Sequence, residues 1–311
     1  MQLPVNDPII AVVGPTAVGK TAVGIQLAQH FSGEVISVDS RYLYRGMDIG
    51  TAKPTTEEMA GVPHHLIDIV NPDETISLPQ FQKAVYACIP EIKRRQRLPF
   101  LVGGTGQYLW SVVEGWLPPK TKPNPQLRTV LEAMAQQLGA EKLHAYVQML
   151  DPSAAKKIEP RNIRRSVRAL EVMLSSGELF SEQGKKSPPP YDFKIIGLER
   201  AREELYARAD ERINQMLDIG FVDEAERLLA SGFTEDLPAM SAIGYKEVIQ
   251  YIQGKMSMAE AVTLMKRRTR NFIRHQSNWF KQKDERIHWF KMDSNVVDQI
   301  SEYILSEDGW I

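Results

Sequence analysis

The chain has 311 residues, of which 43% are apolar and 25% charged, an ordinary balance for a globular protein large enough to bury its own core. The single Cys88 excludes an intramolecular disulfide framework, and six histidines with one cysteine offer no zinc-finger spacing. A formal net charge of −1 does not by itself call for a nucleic-acid partner, so such a partner has to be argued from where the positive charge sits.

Met1 to Pro8 carries Asp7 and no basic residue, and the apolar run behind it is too short for a signal or a spanning segment. We therefore expect a cytoplasmic protein with no membrane association. That run, Ile9-Ile10-Ala11-Val12-Val13, reads as a short buried strand. Ala22 to His30 reads as a helix, with Val23, Leu27 and Phe31 at helical spacing. Between them Gly14-Pro15-Thr16-Ala17-Val18-Gly19-Lys20-Thr21 fits the phosphate-cradling pattern G-x-x-x-x-G-K-[ST] in the strand–loop–helix context it requires. Its glycines let the backbone curl so that N–H groups and the helix N-terminus face one anion. Lys20 adds a point charge, and the Thr21 hydroxyl can hold Mg²⁺. A diphosphate-bearing ligand is the expectation.

A nucleotide hydrolase would need a second Mg²⁺-holding aspartate at the end of another strand. The strand Pro99-Phe100-Leu101-Val102 ends in Gly103-Gly104-Thr105-Gly106, with no acid. Glu34-Val35-Ile36-Ser37-Val38 ends instead in Asp39-Ser40, and open parallel sheets place ligands at such ends. Asp39 is thus expected to face the phosphate loop, in a site that need not hydrolyse nucleotides.

Arg41 to Pro54 is too polar and glycine-broken for a regular element. Pro63 to Val70 reads as a third strand. Leu78 to Arg94 has helical spacing at Phe81, Val85 and Ile89, with Pro90 expected to kink or restart it. This alternation argues for a parallel sheet with crossover helices. Proline-rich stretches at 117–125 and 184–190 bracket three apolar helical stripes, at Leu127 to Leu138, Leu143 to Leu150 and Ile163 to Leu174. Asp151-Pro152 is a good helix start. The expected organisation is a discontinuous core, 1–120 and 193–311, with a helical insertion at 121–192. Phe193 to Leu198 returns the chain to the sheet. A last long helix, Ala259 to Lys283, crowds Lys266, Arg267, Arg268, Arg270, Arg274, His275, Lys281 and Lys283 around its apolar side. With the run Arg161 to Arg168 in the insertion, it suggests a polyanion held between two domains.

In these residues the chain resembles the tRNA dimethylallyltransferases, also called tRNA isopentenylpyrophosphate transferases. The resemblance rests on Gly14 to Thr21, Asp39-Ser40, Tyr44 to Pro54, Pro63 to Asp68 and Val102 to Tyr108. It continues through Arg165 with Arg168 to Val172, Ala242 to Glu247, and Thr269-Arg270 with Gln276 and Trp279-Phe280. The implied fold is α/β, a P-loop NTPase-like parallel sheet flanked by helices with a small all-helical insertion domain. The implied reaction moves a dimethylallyl group from its diphosphate to N6 of adenine 37 in tRNAs reading codons that begin with U. Diphosphate leaves, and Mg²⁺ assists on Thr21. The resemblance assigns Asp39 as general base, Thr16 and Lys20 as further catalytic groups, and residues 14 to 21 as the diphosphate site. The tRNA anticodon stem-loop would be held by Asp39, Ser40, Arg41, Tyr42, Thr105, Arg128, Arg164, Arg165 and Arg168, with Arg270 and Arg274 of the basic helix, and the protein would act as a monomer.

Two positions depart from the family's pattern. Tyr42 stands where many members have Gln, and Ser241 stands where some have Arg, so another cation has to replace that one. The C-terminal zinc finger of some eukaryotic members is absent, which favours a bacterial-type enzyme. Competing readings are an adenylate dimethylallyltransferase making cytokinin, a small-molecule P-loop kinase and a non-catalytic tRNA-binding protein.

Overall fold

The computed structural model describes residues 9–306; the segment Met1 to Pro8 lies outside them. Ile9–Val13 forms β1, buried along its whole length, so it can only be a central strand covered on both faces. The phosphate loop follows, and α1 (Lys20–His30) starts two residues earlier than the apolar spacing suggests, with the motif's own Lys20 and Thr21 in its first turn. Next come β2 (Glu34–Ser37), the short α2 (Thr56–Met59) and β3 (His64–His65). The third strand is far shorter than Pro63 to Val70, because Leu66 and Asp68 adopt positive φ of 60° and 55°, which breaks any ladder.

Helix α3 runs unbroken from Leu78 to Arg94 through Pro90, so the proline does not restart it. Pro90 points to solvent while Phe81, Val85, Ile89 and Ile92 bury the opposite face, so the backbone bond lost to proline falls where water can replace it. β4 (Pro99–Val102) and α4 (Gly106–Val113) close this half.

The chain divides into two compact units, Met1–Val113 with Pro189–Ile311, and Glu114–Pro188. The second begins with β5 (Trp116–Leu117), followed by α5 (Pro125–Leu138), α6 (Ala140–Leu150), α7 (Pro152–Ala155) and α8 (Ile163–Ser176). Its last element, β6 (Lys185–Lys186), pairs antiparallel with β5. The proline-rich stretches therefore contain a paired stem as well as linkers. Leu131, Leu143, Val147, Val167 and Leu170 pack into a separate core, and Asp151 caps α7 through the Ala154 N–H at 2.9 Å.

The first unit resumes with β7 (Phe193–Glu199), α9 (Arg202–Asp218), α10 (Phe221–Ala230), α11 (Tyr245–Ile252) and α12 (Met258–Gln276). Helix α12 stops at Gln276 rather than Lys283, and the chain adds a strand that its apolar pattern did not announce, β8 (Ile287–Lys291), before α13 (Val296–Leu305). The sheet order is β3-β2-β4-β1-β7-β8, every pair parallel. Among the described residues no helix is long and apolar enough to cross a membrane.

Where β2 and β4 run side by side, a Cβ on Gly103 would stand 2.2 Å from the Val38 carbonyl oxygen. Backbone cannot swing aside as a flexible side chain can, so Gly103→Ala should cost about 1–3 kcal/mol. A lower midpoint in urea unfolding checks this; an unchanged midpoint would show that the two strand ends separate without cost.

Candidate active site

Three neighbouring strands, β2, β4 and β1, deliver the sequence-predicted groups to one end of the sheet. Asp39 and Ser40 follow β2, Thr105 follows β4 and the phosphate loop follows β1. The Ser40 N–H donates to Thr105 Oγ1 at 3.2 Å. Gln276, 3% exposed at the end of α12, ties the other two loops together. Its Oε1 accepts from Thr16 N–H at 2.7 Å and its Nε2 donates to the Gly104 carbonyl at 3.0 Å. From α9 and its approach, Arg208 and Arg200 donate to the carbonyls of Ala17 and Val18 at 2.9 and 3.0 Å. The outer side of the phosphate loop is thereby fixed.

Lys20 Nζ donates to the Pro15 carbonyl at 2.8 Å. Burial brings its pKa down to about 8, with the Arg212 charge acting the same way and Asp39 opposing. Asp39 is pushed the other way. Burial raises its carboxyl above the ordinary range, against a hydrogen bond from the Arg41 N–H and the positive charges of Lys20 and Arg41. Base and cation are thus both held closer to neutrality than in water. Tyr42 reaches the Ala52 carbonyl at 2.7 Å, and burial first, then the Asp39 charge, keeps its phenol protonated.

These groups open on a cavity of about 470 Å³ lined by Thr16, Asp39, Ser40, Arg41, Thr105 and Arg212 on its polar side, with Ile213, Met216, Ile243, Met265 and Phe272 supplying the apolar remainder. Arg212 carries no motif of its own, and only its place on the inner face of α9 reveals it. Arg41 meets Ser241 directly, donating to its Oγ at 3.1 Å. Trp279 lines the same cavity and is 40% exposed, whereas Phe280 is buried and borders a second cavity, of about 550 Å³, beyond Gln276. Arg274 lines that second cavity, and Arg270 is ion-paired with Asp210.

In the helical unit the arginines fall into two kinds. Arg128 and Arg168 both donate to the fully buried Glu171, at 2.9 and 2.6 Å. Arg164 and Arg165 are exposed and make no ion pair among the described residues. His64 bonds the Val62 carbonyl and His65 bonds Glu34, both as structural side chains.

A phosphate loop joined to a buried carboxylate and an apolar chamber, on an all-parallel sheet, defines a P-loop-type enzyme built for group transfer. The family model described as IPP transferase matches residues 42–283, and that of isopentenyl transferase matches residues 8–74. The chain is 53% identical over 274 residues to the tRNA dimethylallyltransferase of Roseiflexus sp. (strain RS-1), covering 88% of this chain and 90% of that one. With the tRNA dimethylallyltransferase of Herpetosiphon aurantiacus it shares 45% identity over 304 residues, 98% and 96% of the two chains. The crystal structure of the full-length tRNA isopentenylpyrophosphate transferase from Bacillus halodurans superposes with a TM-score of 0.72 at 41% identity, covering 96% of each chain. A eukaryotic dimethylallyltransferase caught in crystallographic snapshots acting on tRNA gives 0.80 at 27% identity, over 98% of this chain and 82% of that one. The chain belongs to the tRNA dimethylallyltransferase family, whose members are prenyl transferases.

Because the Lys20 pKa lies at about 8, its charge is present below that pH and lost above it. Pyrophosphate affinity, measured by calorimetry, should therefore fall as pH rises through about 8 and converge on that of Lys20→Met. The ligand's own titration is common to both proteins. Parallel curves would show that Lys20 does not hold the anion.

Proposed function

We propose that the protein transfers the dimethylallyl group of dimethylallyl diphosphate to N6 of adenine 37 in tRNAs reading codons that begin with U, releasing diphosphate. The observation that carries this reading is a cavity lined both by polar groups, Thr16 of the phosphate loop, Asp39 and Arg212 among them, and by the apolar side chains Ile213, Met216, Ile243, Met265 and Phe272. A five-carbon allylic diphosphate combines the same two kinds of surface.

In this reading the adenine leaves its stack, as a base must to reach such a pocket. The allylic C–O bond breaks as the N6–carbon bond forms, and the N6 proton passes to the Asp39 carboxylate. Lys20, Arg212 and the loop amides take up the charge that develops on diphosphate. No water has to be activated, which agrees with β4 ending in Gly103-Gly104-Thr105. Among the described residues no group of three His, Cys, Asp or Glu could hold a metal alone. Mg²⁺ keeps most of its waters and takes few protein ligands, so the Thr21 hydroxyl with the donor's own oxygens is a fitting donor set; when bound, the ion would neutralise diphosphate charge. The exposed Arg164 and Arg165, without an ion pair among the described residues, are suited to RNA phosphates, while Arg128 and Arg168 work from a fixed platform on Glu171.

The test is incubation with Mg²⁺, labelled dimethylallyl diphosphate, and either unmodified tRNA containing A36-A37-A38 or AMP, followed by nucleoside analysis. Label on A37 alone supports the reading; label on AMP alone or on neither overturns it. Asp39→Ala should lower turnover by about 10²–10⁴ and leave tRNA affinity intact, and equal loss of both would remove Asp39 as base. In the wild type, kcat/KM should fall on the acid side through a pKa above that of an ordinary aspartate, since only the ionised carboxylate accepts the proton. Arg164→Glu with Arg165→Glu should weaken tRNA binding and flatten its salt dependence by about one to two phosphate contacts, measured by filter binding at several salt concentrations; an unchanged slope would make this face a solvated surface only.

A further inference from the structure

Gly50, Thr51 and Ala52 form one wall of the cavity, yet they belong to no helix or strand. Such a wall would ordinarily satisfy its amides with water and move with it. Here three consecutive N–H groups, of Asp48, Ile49 and Gly50, donate to the single carboxylate of Glu224 at 2.9, 2.7 and 3.0 Å. Tyr245 Oη donates a fourth bond at 2.6 Å. Glu224 is 3% exposed and Tyr245 fully buried, so the accepting carboxylate is withdrawn from water, although the Asp48, Ile49 and Gly50 amides that reach it are only partly covered. Packing closes the remaining freedom, since a Cβ on Gly50 would stand 2.1 Å from the Phe221 ring and 2.7 Å from that of Tyr245. The far end of the segment is tied as well. Tyr42 donates to the Ala52 carbonyl, and the buried Lys53 ammonium donates to the Tyr44 carbonyl at 2.8 Å and to Asp48 and Asp68 at 2.5 Å each.

We infer that Glu224 is a positioning residue for the transfer reaction: from α10 it holds the 48–52 wall at a set distance from the phosphate loop and Asp39. The inference rests on the proposed transfer activity and adds a residue that touches neither substrate. An ionised carboxylate is tolerable in this buried place only because four donors converge on it. A glutamine of the same shape cannot replace it, because its amide nitrogen would meet donors where an oxygen now accepts. The reacting atoms must be aligned within a fraction of an ångström, and a displacement of about 1 Å can cost about 10²-fold.

The experiment compares wild type, Glu224→Gln, Glu224→Asp and Tyr245→Phe by amide hydrogen exchange, thermal melting, tRNA binding and steady-state transfer well below the melting point. Glu224→Gln should lose protection over residues 48–50 and lower kcat/KM by about 10- to 100-fold, with tRNA affinity within about threefold. Glu224→Asp keeps the charge and withdraws it by one methylene, so it should fall between, which keeps the test alive if the glutamine variant does not fold. Tyr245→Phe leaves the three amide bonds in place and should retain protection and most activity. Lost protection with unchanged kcat/KM, or a loss of tRNA binding matching the loss of turnover, would overturn the inference. An inactive wild type would overturn the transfer reading instead, and the exchange data would still report whether Glu224 anchors the segment.

Discussion

One buried amide group joins the parts of this site. Gln276 takes the Thr16 N–H with its oxygen and gives a hydrogen to the Gly104 carbonyl, so the loops after β1 and β4 cannot separate without leaving a buried donor and acceptor unpaired. The end of α12 is held in the same stroke, and with it the places of Thr269, Phe272 and His275 along the cavity. The wall of the second cavity begins at the same residue. An apolar side chain there would pack but could not select one spacing between the loops.

Around that joint the charges are arranged in opposition. Desolvation works against the ionised forms of both Lys20 and Asp39, and each partly rescues the other. Removing either one would take away a charge that favours the ionised form of the other. Arg212 adds a further positive charge close enough to Lys20 to help hold its pKa down.

What the sequence discloses and what it withholds follow one rule, that contiguous signals are readable and distant ones are not. The phosphate loop, Asp39 at the end of β2 and the acid-free end of β4 are each written in a few adjacent residues, and their meeting follows from parallel-sheet geometry. The family's blocks extend this over most of the chain. Pro90 misleads because propensity is local, while the buried face of Phe81, Val85 and Ile89 that carries α3 through it is tertiary. β8 escapes because Ile287-His288-Trp289-Phe290 lacks alternation, its two ends being buried and its middle partly open. Glu224 reaches residues more than 170 positions away, and nothing near it in the chain hints at that. Arg168 and Glu171 stand three positions apart on one helix, a pairing that spacing alone allows, but that Glu171 also holds Arg128 from another helix is legible only in three dimensions.

The two-stranded stem of β5 and β6 has a consequence for how this chain could change over generations. Because the helical unit leaves and rejoins its neighbours through paired antiparallel segments, its ends lie side by side however long the excursion between them. Closing a longer loop costs only about 0.6 kcal/mol per doubling. The unit can therefore grow, shrink or be exchanged for another fold while the parallel sheet remains as it is, much as a tool head is swapped on a common handle.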